Sequence, residues 1–181
     1  QGAAQLQAQL IHKAVARAQA LAPHHTSLWL TGQPVSTVWP REVKVFDQQG
    51  ADLGARMTHA FSTLLPKHRA VILIGTDCPA QTPNDLHQAA QALHTHEVVL
   101  QPAEDGGYVL VGLSAQVLAH TPVRWPEMFC NIDWGSSAVW AQTQAQLAAT
   151  GLRHTEIEMR PDLDVPDDYD RAVRVGWVDP L

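Results

Sequence analysis

An α/β fold, with a mostly parallel sheet covered by helices on both sides, is the architecture predicted by this 181-residue sequence. Three observations predict it. Stretches with apolar side chains three or four residues apart alternate along the chain with short apolar runs. Two of those runs, "AVILIG" (70–75) and "EVVLQ" (97–101), lack the polar alternation of a half-exposed strand and match strands buried on both faces. No internal repeat or low-complexity linker breaks the alternation, and the length with 45% hydrophobic residues suits one domain over residues 1–181.

The elements follow in order. Residues 3–21 place Leu6, Leu10, Ala14, Ala18 and Leu21 on the stripe of an amphipathic helix. "SLWLT" (27–31) and "VKVF" (43–46) are short strands separated by a Pro-containing loop over 32–42. Leu53, Met57, Phe61 and Leu64 share one face of a helix that stops at Pro66. After the strand "AVILIG", Thr82-Pro83-Asn84-Asp85 supplies an N-cap, a proline at the first helical position and an acid in the first turn, so a helix runs to about Leu93. "EVVLQ" and "GYVLVGL" (107–113) are further strands. Ser136 or Ser137 is expected to cap a helix ending before Gly151, "RHTEIEM" is the last strand, and "VPDDYDRAVRV" begins the last helix.

Composition narrows the function. The net charge is −6 and the 12 Lys and Arg are scattered, so no basic stripe can follow a nucleic-acid backbone or an anionic membrane surface. Apolar runs are far shorter than the roughly 20 residues of a membrane span, and no signal-peptide pattern opens the chain, which predicts a soluble, cytoplasmic protein. Cys78 and Cys130 share no metal-like spacing and are expected to be reduced thiols. His24-His25 and His94-x-His96 lack a cysteine or carboxylate at zinc-site spacing and are expected to be solvated loop residues.

In open α/β sheets the ligand crevice lies beyond the carboxyl ends of the strands. Asp77 follows such an end, in "GTDCP"; the plainer alternative is an acid that only binds the turn amides. Glu104-Asp105, with Gly106 and Gly107 leading into a strand, mark a place where a ligand can approach the backbone, or else an ordinary tight turn. Asp162 and Asp164 follow the last strand, where Asp164 could also serve as an N-cap. Three acidic corners without soft ligands suit a hard cation, Mg2+ or Mn2+, that also binds substrate phosphates.

"QQGADLGARMTHAF", "GTDCPAQTPNDL", "PAEDGGYVLVGL", "NIDWGSSAVWAQT" and "PDLDVPDDY", in this order and spacing, resemble the bacterial family of unknown function also called selenodomain-associated or arsenosugar-biosynthesis glycosyltransferases. The match spans nearly all of residues 48–170. That family is similar in turn to molybdopterin-cofactor and phospholactate guanylyltransferases. The resemblance implies a Rossmann-like three-layer α/β/α sandwich of the GT-A nucleotide-diphospho-sugar transferase type. It implies a metal-dependent enzyme that binds a nucleotide or nucleotide sugar and transfers a glycosyl group to a small-molecule acceptor. Nucleotidyl transfer on the same scaffold is the first alternative, a non-catalytic nucleotide- or sugar-binding module the second, and a partner-binding protein that keeps only the fold the third.

The resemblance also implies roles. Asp77 would be a catalytic, metal-binding aspartate with Thr76 beside the substrate, and Asp164 the second metal ligand, with Val165 standing where Thr is usual. Carboxylate oxygens sharing an ion should lie roughly 3–4 Å apart, which would bring Asp77 and Asp164 together. Glu104, Asp105, Gly106 and Gly107 would contact the sugar or transferred group; no side chain identifies itself as the general base, and Asp105 and Asp133 are the nearest candidates. Arg56 would contact phosphate or form an ion pair within the fold, and Trp134 would line the acceptor side or pack the loop on the core. The family's N-terminal strand and its loop resembling K-A-P-x-P-G-x-x-K-T-R-L have no counterpart here, so the phosphate-binding loop is expected to be missing from this sequence.

Overall fold

The apolar alternation resolves into six strands and six helices, with two 3-10 turns, among the described residues. The structure, a computed structural model, describes residues 2–32 and 42–181. Most of the predicted loop over 32–42 lies outside these residues. Helix α1 (Gly2–Leu21) leads to strand β1 (Ser27–Leu30), and β2 (Lys44–Asp47) to helix α2 (Leu53–Leu64) with a 3-10 turn at Leu65–Lys67. Strand β3 (Ala70–Ile74), helix α3 (Pro83–Ala92), strand β4 (Val98–Pro102) and strand β5 (Tyr108–Ser114) follow. Helix α4 (Val117–His120), a 3-10 turn at Trp125–Phe129, helix α5 (Val139–Thr150), strand β6 (His154–Glu156) and helix α6 (Pro166–Arg174) complete it.

The main sheet has the order β3-β5-β4-β6, and β1 with β2 forms a separate parallel pair. β3, β4 and β6 run in one direction. β5 runs against them and is inserted between β3 and β4, so both of its pairings are antiparallel. This corrects part of the parallel reading: the sheet is mixed. The cause is local, because only 103–107 separates β4 from β5, and a parallel return needs a crossover of about a dozen residues.

Alternation along β4 divides the core into two layers. Val98 and Leu100 face a cluster with Met57 and Phe61 of α2, Leu147 of α5, and Trp125, Met128 and Phe129. Val99 faces the other side, against Leu86 and Ala89 of α3 and Leu93 after it. All five β4 residues are buried, as an apolar strand covered on both faces should be. Among the described residues, no helix is long and apolar enough to cross a membrane.

The helix ends show how local chemistry sets the loops. Thr82 accepts the Asp85 N–H at 3.3 Å while Asp85 accepts the Thr82 N–H at 2.7 Å, completing a reciprocal cap at the start of α3. The expected serine cap on α5 is corrected: Ser136 Oγ donates to Asp133 O at 2.8 Å and accepts from Ala138 N at 3.2 Å, which builds a turn ahead of the helix. At α6, Val165 takes the N-cap position instead of Asp164. The Asp168 carboxylate accepts the N–H groups of Asp164 at 3.1 Å and Val165 at 3.0 Å.

Candidate active site

Because β3, β4 and β6 share a direction, the chain leaves all three at the same edge of the sheet. β3 runs out into Gly75-Thr76-Asp77, β4 into the 103–107 turn, and β6 into the segment ending at Asp164. A bridge between Ala103 and Arg160, with Arg160 N donating to Pro102 O at 3.0 Å, carries the β4–β6 pairing beyond the strands. Cys78 joins the other corner by donating its thiol to Pro161 O at 3.3 Å, and burial pushes that thiol up to about 11. Both cysteines are free, Cys78 buried and Cys130 exposed.

Glycines create the space for the acids. Any side chain at Gly75 would meet Asp77 Oδ1 at 2.5 Å, so the absence of a Cβ lets the carboxylate fold back over residue 75. Gly106 has φ +93 and its missing Cβ would lie 2.5 Å from Ser137 O. Asp105 Oδ1 accepts the Gly107 N–H at 2.7 Å, closing the turn. Closing the tight turn leaves Asp105 facing the other acids of this edge, so the two readings of this residue are compatible.

Asp105, Asp162 and Asp164 each present a carboxylate oxygen within 4.8 Å of the others. Asp77 lies outside that tight set, yet its charge acts on Asp162 and Asp164, and that of Asp105 acts on it. Burial, then Asp105, with contributions from Asp164 and Asp77, pushes Asp162 up to about 6. Burial followed by Asp105, Asp77 and Asp168 likewise raises Asp164. Asp77 is open to solvent as a residue, but protein packed around its carboxylate, and then the Asp105 charge, raise it too.

This donor set fits a hard divalent cation. It is oxygen-only, converges from two separate segments, and two of its acids, Asp162 and Asp164, are raised by burial and by neighbouring carboxylates, as suits donors that await a counter-charge. Sequence reading named Asp77 and Asp164 as the ligand pair; the structure adds Asp105 and Asp162 as the close neighbours of Asp164. Asp162, named in the sequence as part of an acidic corner but not as a ligand, joins the set, as the two-residue spacing of Asp162-Leu163-Asp164 allows.

The remaining expected site residues are distributed around this edge. Thr76 is half-buried between Gly75 and Asp77. Glu104 Oε2 accepts from Arg171 Nη1 at 2.9 Å, so its charge is engaged by α6. Arg56 donates from Nε to Gly50 O at 3.3 Å and, among the described residues, makes no ion pair. Trp134 sits edge-on to Tyr108 with ring centres 6.2 Å apart, and its Nε1 lies 2.9 Å from the place a Gly54 Cβ would take. Asp133 is exposed on the same loop.

Solved structures share this fold. A crystal structure from Desulfovibrio desulfuricans G20, provisionally described as a nucleotide-diphospho-sugar transferase, superposes with a TM-score of 0.78 at 24% identity, covering 95% of this chain and 74% of that one. The structure of CMP:2-keto-3-deoxy-manno-octonic acid synthetase complexed with CTP gives 0.58 at 13% identity, covering 92% of this chain and 87% of that one. The Rossmann-like sandwich expected from the sequence is thus the observed fold. No curated protein matches the chain. Residues 4–136 match the family described as "Uncharacterized protein conserved in bacteria (DUF2064)", and the chain belongs to that family.

Proposed function

We propose that the protein is a metal-dependent transferase that moves a sugar from a nucleotide sugar to a small-molecule acceptor. The observation that carries this reading is the convergence of Asp105, Asp162 and Asp164, with Asp77 beside them, at the carboxyl edge of the sheet. Ligands of open α/β folds bind at that edge. The likeness to a provisional nucleotide-diphospho-sugar transferase supports the same chemistry.

Asp105, Asp162 and Asp164 would hold Mg2+ or Mn2+, with Asp77 adding its charge. When bound, the cation offsets the negative charge that accumulates on the departing diphosphate. The protein's own groups orient the reactants. Gly106 and Gly107 act through the turn they build, which Ser137 and Trp140 pack against and which aims the Asp105 carboxylate at the cation, while Thr76 flanks the donor. Arg56, with no carboxylate partner among the described residues, is assigned to a phosphate oxygen. Trp134 offers part of its ring to the acceptor. With Asp105 committed to the cation, Asp133 on the loop packed over Gly106 is the acid assigned to take the acceptor proton.

Incubation with a panel of nucleoside diphosphate sugars, with and without Mn2+, tests the reading. Mass spectrometry should detect cation-dependent release of a nucleoside diphosphate, and thermal stabilisation by the donor should require the cation. Equal stabilisation without Mn2+, and no release, would count against it. Nucleotidyl transfer is the second reading, favoured by the fold shared with a synthetase complexed with CTP. It would instead consume a nucleoside triphosphate and release pyrophosphate.

A further inference from the structure

The three clustered acids come from two segments distant in sequence. Asp105 rides on the 103–107 turn, while Asp162 and Asp164 lie between β6 and α6. Their like charges push these segments apart beyond the Ala103–Arg160 backbone bridge that joins them below the cluster. Arg171 of α6 reaches both. Its Nη1 donates to Glu104 Oε2 at 2.9 Å, one residue from Asp105, and its Nη2 lies 3.7 Å from Asp168 Oδ1. The other oxygen of Asp168 accepts the backbone N–H groups of Asp164 and Val165. A single guanidinium therefore connects the backbone on the two sides of the cluster. Its Nε is buried, with no hydrogen-bond partner among the described residues.

We infer that Arg171 is a positioning residue that sets Asp105 against Asp162 and Asp164 at the spacing a divalent cation requires. The inference rests on the metal-dependent reading above. It assigns Arg171 no contact with the cation or the substrate. A planar fork can engage two carboxylates on different elements at once, whereas a lysine ammonium is a single point of charge.

The sign of the effect separates positioning from simple electrostatics. Arg171 is a positive charge near a cation site, so its removal should tighten cation binding if charge alone mattered. If spacing matters, removal should weaken binding. Mn2+ affinity is measured by calorimetry on the full chain as wild type, Arg171→Met and Arg171→Lys, with thermal melts in EDTA to establish that each is folded. Arg171→Met should bind Mn2+ about tenfold or more weakly, the loss usual when a group supporting a metal ligand is removed. Arg171→Lys should lose less, because it keeps the charge and one of the two contacts. Unchanged or tighter Mn2+ binding by folded Arg171→Met overturns the inference. If that variant does not fold, wild-type affinity in Arg171→Lys overturns it. A wild type that binds no Mn2+ overturns the metal reading and removes this inference with it, an outcome distinct from the other two.

Discussion

Arg160 grips Asp85 with two hydrogen bonds, Nη2 to Oδ1 at 2.8 Å and Nε to Oδ2 at 3.1 Å, at a point where Asp85 has no exposed surface. The pair fastens the segment after β6 to the first turn of α3, directly behind the acidic edge. Burial alone would raise the Asp85 carboxyl, but Arg160 and the Thr82 amide outweigh it and hold it below its ordinary value. Arg160→Met leaves a buried carboxylate without its cation and should destabilise the fold by about 3 kcal/mol at pH 7. A depressed carboxylate pKa contributes stability that is present above about pH 4 and lost as pH falls through the folded value. The gap between wild type and variant in urea melts should therefore narrow at acidic pH.

The Asp162 carboxyl gives the opposite sign. Its folded value is raised to about 6, so its contribution is present below the ordinary aspartate value of about 4 and is lost as pH rises through 6. Asp162→Asn should accordingly melt higher than wild type at pH 7.5 in EDTA, with the difference shrinking at pH 4.5. The same variant should bind Mn2+ more weakly. A variant that melts lower than wild type at pH 7.5 would contradict the repulsion on which the site is argued.

Two glycine substitutions should separate stability from binding. At Gly75 the obstructing atom is the end of the Asp77 side chain, which can swing aside, so Gly75→Ala should cost little stability yet weaken Mn2+ binding severalfold. At Gly106 the obstruction is the Ser137 backbone and φ is +93, so Gly106→Ala should destabilise by roughly 2 kcal/mol or more. Thermal melts in EDTA beside calorimetric titration would read both effects.

Trp134 packs on Tyr108 and over Gly54, and its removal should be felt in the fold as well as in catalysis. Trp134→Ala should lose about 2 kcal/mol, less than a fully buried tryptophan because the ring is only half-buried. In the proposed reaction it should also raise the acceptor KM with a smaller effect on the donor KM. Unchanged acceptor kinetics would confine the residue to packing.

Much of this architecture was legible in the sequence because the signals were short-range. Thr82, Pro83 and Asp85 lie within one turn and announced α3; the apolar runs located β3, β4 and β5. The direction of β5 was obscured because a strand buried on both faces reads alike either way, and only the five-residue connection distinguishes them. Asp77, Asp105, Asp162 and Asp164 stood out as acids at strand ends, and the structure brings the last three together. The Glu104–Arg171 contact spans 67 residues, and neither partner carries a local mark of the other. Ser136 and Ser137 misled for a similar reason: a serine turn and a serine cap share the same composition.

The Cys78 thiol, sealed beneath the acidic edge and tied to Pro161, makes a built-in chemical clock. With its thiol pushed to about 11 and no exposed surface, alkylation at neutral pH must wait until the segments after β3 and β6 part. Cys130 is exposed and should react at once, providing an internal reference in the same molecule. The slow phase of iodoacetamide labelling then measures how often this edge opens. On the proposed reading, Mn2+ held by Asp162 and Asp164 would attract the Asp77 carboxylate across this gap and should lengthen that interval.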